Sequence, residues 1–146
     1  MTQSQNKNKH HLKAIIVDWA GTVIDYGSSA PALVFIEIFQ KAGVSIASQE
    51  ARSPMGLDKR SHIAAILAMP QVAQRWENAQ GHPPCKEDID ALYASFIPVA
   101  LEVLPQHATL IPGTISATDY CRSKDIRIGS STGYARQLMA VVTPIA

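Results

Sequence analysis

The sequence predicts an α/β fold in which a helical segment is inserted between two strand-bearing pieces. Three observations predict it. Ala14 to Asp18 is an apolar, β-branched run that reads as a buried strand ending in a carboxylate, and Gly21 breaks it. Ile126 to Gly129 reads as a second short buried strand, broken at Thr132-Gly133. The residues between, from about Ser28 to Pro105, carry helical spacing and no strand pattern. The expected organisation is a polar tail over 1–11, an α/β core over 12–27 and 106–146, and a helical cap over 28–105.

The helices follow in order. Ser29 is placed to cap the first, which tolerates Pro31 in its opening turn and stops at Gly43. Leu33, Ile36 and Phe39 form its apolar stripe, with Val34, Phe35 and Ile38 beside it, enough to cover more than one surface. Ser48 is a second cap, ahead of Gln49 to Arg52, and Ser53-Pro54 interrupts. Leu57 to Met69 reads as a helix ended by Pro70, and Val72 to Ala79 as one ended by Gly81. Pro83-Pro84 is a loop. Glu87 to about Leu104 is helical, and Pro98, which lacks a backbone donor, is expected to kink it. Ile111-Pro112-Gly113 is a turn, Thr114 to Arg122 a helix, and Arg136 to Val142 begins another.

Composition narrows the function classes. The 146 residues suffice for one ordinary domain, and 47% apolar with 17% charged residues is the balance of a globular protein. A net charge of +1 gives no electrostatic case for nucleic acid or an anionic membrane. No apolar run reaches the length of a spanning helix. The segment MTQSQNKNKHH is polar, reads as disordered and lacks the apolar stretch of a signal peptide, which predicts a cytoplasmic protein. Cys85 and Cys121 lie far apart without metal-type spacing and read as reduced residues, and His82 and His107 have no partner at metal spacing.

The chemistry-bearing residues cluster at the two strand tips. An acid at the carboxyl end of a strand, before a glycine turn, is where open α/β sheets place nucleophiles and metal ligands. Asp18 also suits a plain turn, and pattern alone leaves both readings open. Ser130, Ser131 and Thr132 follow the second strand. A hydroxyl there, with the Gly133 N–H beside it, can hold a phosphoryl oxygen, or can be an ordinary turn. Lys59, by its spacing alone, reads as a solvated helix lysine.

The wording of these segments is more specific. Asp18-Trp19-Ala20-Gly21-Thr22 resembles the first motif, Asp-x-Asp-x-Thr, of the haloacid dehalogenase-like superfamily, with Ala20 where phosphatases carry their second Asp. That departure, followed by Asp25-Tyr26-Gly27, is similar to the phosphonoacetaldehyde hydrolase branch. ARSPMGLDKRSH, Ala51 to His62, resembles that family's Schiff-base segment, and IGSSTGY, Ile128 to Tyr134, its second phosphate-binding motif. The resemblance covers Leu12 to the last residue. The family runs to roughly twice this length, so the chain is expected to be the N-terminal part of a larger enzyme, with a basic motif and further acidic ligands beyond Ala146.

The resemblance implies a haloacid dehalogenase-like core split by a helical cap, and hydrolysis of phosphonoacetaldehyde to acetaldehyde and phosphate. It implies Asp18 as nucleophile, Lys59 as the imine-forming lysine, and Mg²⁺ on Asp18 and the backbone carbonyl of Ala20. It places Thr132 and Gly133, with Ser131 as a substitute, on the phosphoryl group, and Tyr134 near the substrate. His62, three residues after Lys59, is assigned to proton transfer or water positioning near the iminium, and Met55 to an apolar pocket wall. The lysine must be neutral to attack, which burial or the adjacent Arg60 would favour. The implied partners are a small phosphonate and a second copy of the chain. A sugar-phosphate phosphatase or phosphomutase is the first rival, disfavoured because Ala20 is no acid. An inactive fragment that only binds a partner is the second.

Overall fold

The structure is a computed structural model that describes residues 12–146. The tail expected over 1–11 lies outside the described residues. Strand β1 (Ala14–Val17) is followed by helices α1 (Ala30–Lys41), α2 (Ser48–Arg52), α3 (Lys59–Leu67), α4 (Pro70–Gln80) and α5 (Lys86–Val103). A 3-10 turn over Leu104–His107, helix α6 (Thr114–Ser123), strand β2 (Arg127–Ser130) and helix α7 (Arg136–Val142) complete the order.

The two strands pair in parallel, with Val17 opposite Ser130, so both release the chain at the same end. Neither is the buried strand that its composition predicts. Ile16 is 70% exposed, and β1 alternates between exposed and half-buried. Parallel strands are buried only when helices cover both faces, and α6 is the helix that packs substantially on this sheet.

The apolar core sits instead among the helices, chiefly where α1 lies on α5. Phe39 of the expected stripe is buried, but Leu33 is exposed and Ile36 half-buried; Val34, Phe35 and Ile38 supply the buried face. An apolar helix offers more than one stripe, and α2, α3 and α5 decide which is covered. Phe35 is wholly buried at the centre. Its ring stacks on the His62 imidazole at 3.8 Å and 15°, and meets Phe96 of α5 at 5.2 Å. Trp76 of α4 packs edge-on against Phe39 at 6.1 Å. Tyr26, by contrast, is 84% exposed and lies outside this core.

Several caps differ from their sequence assignment. The Ser29 side chain makes no cap bond to α1. Asp25 does that work: its carboxylate accepts from the Ser29 N–H (3.0 Å), the Ser29 hydroxyl (2.8 Å) and the Ala30 N–H (2.9 Å). It does so from a left-handed conformation (φ 56°) and is almost fully buried. Ser48 is the first residue of α2 rather than its cap. Asp58 caps α3 by accepting from the Ser61 N–H at 3.0 Å, so that helix begins at Lys59 and not Leu57. Pro70 opens α4 instead of closing α3, as a proline fits a first turn. Helix α5 continues through Pro98.

Two predictions follow from these contacts. Asp25→Ala removes three acceptor contacts at the start of α1 and should lower unfolding free energy by about 2 kcal/mol, with Asp25→Asn retaining part of it. Urea melts of both variants check this. His62 donates from Nε2 to the Ala51 carbonyl at 2.8 Å, while its buried Nδ1 has no partner among the described residues. Burial, and to a lesser degree the nearby Lys59, hold its pKa below the ordinary 6.5 against the opposing Ala51 bond. The unfolded chain therefore binds the proton first on acidification. The His62 contribution is complete above the unfolded value and declines as pH falls toward the folded one. Thermal midpoints should fall between about pH 7 and about pH 5, less steeply in His62→Phe. Equal slopes in both proteins would contradict this.

Candidate active site

The chain leaves β1 at Asp18 and enters a tight turn. The Trp19 carbonyl accepts from the Thr22, Val23 and Ile24 N–H groups, and the Gly21 N–H donates back to Ile24 at 2.7 Å. Gly21 has φ +80°, and the Ser28 side chain occupies the space a Cβ would need, so glycine is required twice over. On the neighbouring strand, the Ser131 N–H donates to the Val17 carbonyl at 2.9 Å and ends the ladder. Asp18 and Thr132 thus emerge side by side from the same edge.

Above them lies a cleft of about 350 Å³ lined by Asp18, Ala20, Met55, Lys59, Thr132, Gly133 and Tyr134, with Ser28, Pro31 and Arg52 completing its wall. Seven of the residues singled out in the sequence therefore meet in one place. Ser131 does not line the cleft; its backbone is held by the ladder and its side chain is exposed. Of the two hydroxyl candidates Thr132 faces the cleft, where its Oγ1 also accepts from the Tyr134 N–H at 3.2 Å. His62 is absent from the cleft as well. It lies on the Lys59 side of α3, as the spacing implies, but its short ring stays under Phe35.

The Lys59 ammonium stands over these aromatic rings, on the wall of the cleft. Its Nζ lies 5.7 Å from the Phe35 centroid and 5.5 Å from that of Phe96. No carboxylate comes within 4.0 Å of it among the described residues. Burial lowers its pKa from the usual 10.5. Its place in the first turn of α3, at the positive end of the helix dipole, acts in the same direction. The adjacent Arg60 is not the cause: its guanidinium turns away and pairs with Asp90 at 2.6 Å.

Asp18 is exposed at the cleft mouth. One carboxylate oxygen accepts from the Trp19 N–H at 2.8 Å, and the other has no partner among the described residues. No described N–H donates to the Ala20 carbonyl. Two free hard oxygens on one wall suit a dication such as Mg²⁺. The Tyr134 hydroxyl is buried without a partner. Burial first, then the Asp25 and Asp18 carboxylates, push its pKa up to about 12, so it stays a neutral phenol.

The expectation that His82 has no partner at metal spacing is corrected by a second donor cluster. His82, Cys85 and Asp88 each bring one ligand atom within 4.8 Å of the others. Helix capping accounts for Asp88, which accepts from the Cys85 N–H at 2.9 Å at the start of α5. Sequence reasoning also passed over Arg52, Ser28 and Pro31. For Arg52 a signal existed, since it stands in the same segment as Met55 and Lys59.

No protein-family model matches the chain. Curated phosphonoacetaldehyde hydrolases of Paraburkholderia phytofirmans and Paraburkholderia xenovorans are 52% and 50% identical to it over 134 residues, 92% of this chain and 50% of theirs. That of Bacillus cereus is 45% identical over 131 residues, 90% of this chain and 50% of its own. A solved structure, a phosphonoacetaldehyde hydrolase-like protein from Oleispira antarctica, matches with a TM-score of 0.79 at 38% identity, over 90% of this chain and 48% of that one. The chain spans about half the length of the curated relatives it matches. Its parallel strand pair and inserted helices are a haloacid dehalogenase-like α/β arrangement, and over the span it shares with these relatives the chain belongs to the phosphonoacetaldehyde hydrolase family.

Proposed function

We propose that the protein hydrolyses the C–P bond of phosphonoacetaldehyde, giving acetaldehyde and phosphate in phosphonate breakdown. The observation that carries this reading is the shared cleft. A strand-tip carboxylate, Asp18, and a lysine whose charged form burial disfavours, Lys59, line the same cavity. In this reading 12–27 and 106–146 form the core, 28–105 the cap, and the enzyme works as a cytoplasmic homodimer. The names of the relatives support the substrate.

The Lys59 amine attacks the aldehyde carbon and releases water, leaving an iminium. Asp18 then attacks phosphorus. The C–P electron pair moves into the iminium to give an enamine, so no free carbanion forms. Water hydrolyses the acyl phosphate on Asp18 to phosphate. A second water hydrolyses the tautomerised enamine, releasing acetaldehyde and the free amine; the net consumption is one water. Thr132 and the Gly133 N–H hold phosphoryl oxygens. Met55 and Tyr134 wall the carbon end, and Tyr134, neutral, can donate a proton. The buried His62 supports Phe35 and so positions Lys59. Mg²⁺, held by Asp18 and the Ala20 carbonyl, supplies positive charge to the phosphoryl oxygens when bound. Ala20 is no acid, which weighs against a sugar-phosphate phosphatase or phosphomutase, where an alkoxide leaving group needs a proton.

Borohydride added to the full-length protein with phosphonoacetaldehyde should leave a reduced adduct on Lys59, read by peptide mass spectrometry. Lys59→Arg should lose both adduct and turnover, because a guanidinium keeps its proton. Asp18→Ala should lose turnover and keep the adduct. Normal turnover in Lys59→Arg would sink the mechanism, and an inactive binding fragment would show neither signal. The amine is the reactive form and its pKa is lowered, so activity should rise with pH and level off below 10.5. An acid limb centred at or above that value would show that burial does not activate the lysine.

A further inference from the structure

We propose that Arg52 recognises the phosphonate group of the substrate, an inference that rests on the proposed reading of the cleft. Electrostatics motivates it. A phosphonate dianion entering here meets the Asp18 carboxylate, and like charges repel. Lys59 attacks as a neutral amine, so in the form that reacts it brings no charge to the phosphonate. Thr132, Gly133 and Tyr134 bring no charge. Among the described residues that line the cleft, Arg52 is the cation that keeps its charge when Lys59 gives up its proton, and Mg²⁺, when bound, would add to it.

Its surroundings fit that task. Arg60, Arg75 and Arg122 each face a carboxylate at 2.6, 2.5 and 3.1 Å. Arg52 has no such partner among the described residues. Its Nη2 donates to the carbonyls of Gly27 and Ser28 at 3.2 and 3.3 Å, neutral acceptors that orient the guanidinium and leave its charge uncancelled. Its Nε and Nη1 donors have no protein acceptor among the described residues. The free Nε and Nη1 donors can each give an oxyanion oxygen a charge-assisted hydrogen bond while Nη2 stays anchored to the backbone. Arg52 also closes α2, three residues before Met55, so it stands on the same wall as the carbon-end residues. The same contacts would serve a purely structural latch between α2 and the segment entering α1, and the test separates the two.

The test compares two aldehydes in borohydride trapping on the full-length protein. Phosphonoacetaldehyde carries the phosphonate; acetaldehyde forms the same Lys59 imine without it. Arg52→Gln should need at least about tenfold more phosphonoacetaldehyde for half-maximal labelling, the cost of lost charge-assisted hydrogen bonds. Its acetaldehyde labelling should match wild type, and Arg52→Lys should fall between. An equal shift for both aldehydes would reduce Arg52 to a latch, and no shift for either would overturn the proposal. If wild type is labelled by neither aldehyde, the Lys59 reading fails, and calorimetry with ethylphosphonate decides the role of Arg52 independently. Binding at least about tenfold weaker in Arg52→Gln upholds it, and equal affinity overturns it.

Discussion

The packing of Phe35 between α3 and α5 is the contact on which the site depends. Its ring is fully removed from water, with the His62 imidazole on one side and Phe96 nearby. Burying such a side chain contributes roughly 2–3 kcal/mol. The half-exposed ion pairs Lys41–Glu102 and Arg60–Asp90 each contribute less than about 1 kcal/mol. Apolar packing therefore sets where α3 begins relative to α1. The Lys59 ammonium then lies over two aromatic rings, half-buried on the cleft wall. The desolvation that lowers the lysine pKa is a by-product of core formation.

The rings also exert an opposing pull. An ammonium above an aromatic face is attracted to it, and that attraction favours the charged form. The direction of the Lys59 shift shows that desolvation outweighs it. Asp18 has the opposite environment. It is exposed at a strand end and accepts from a single backbone N–H. One cleft thus joins a part-buried amine and an exposed carboxylate, the pairing on which the proposed reaction rests.

The turn from Asp18 to Ala30 connects these halves. Three N–H groups converge on the Trp19 carbonyl, and Asp25 gathers the first donors of α1. A left-handed aspartate is uncommon outside such turns, and here its carboxylate is matched by three donors. The turn sends the chain from the sheet edge into the helical layer beside Lys59. His107, 3.9 Å from the Asp25 carboxylate, approaches the same turn from the chain that returns from α5.

Local signals in the sequence determined the helices, the strand tips and most of the cleft residues. Gly81, Pro83-Pro84 and Ile111-Pro112-Gly113 punctuate the chain where it breaks, because glycine and proline act through their own backbone. The wording around Asp18, Lys59 and Thr132 was enough to identify the family. What the sequence could not decide is which of two plausible neighbours a group meets. Ser29 and Asp25 are both caps by type, yet only the fold of the turn puts Asp25 under α1. Ser131 and Thr132 carry the same hydroxyl, and the end of the ladder at Ser131 with the turn that follows it leaves Thr132 lining the cleft. Leu33 and Phe35 are both apolar on one helix, and His62 shares a helix side with Lys59. Burial and reach separate each pair, and both are properties of the surrounding chain. Arg52 stands in the same sequence segment as Met55 and Lys59, but only the structure puts it on the cleft wall with backbone carbonyls, not carboxylates, as its partners among the described residues.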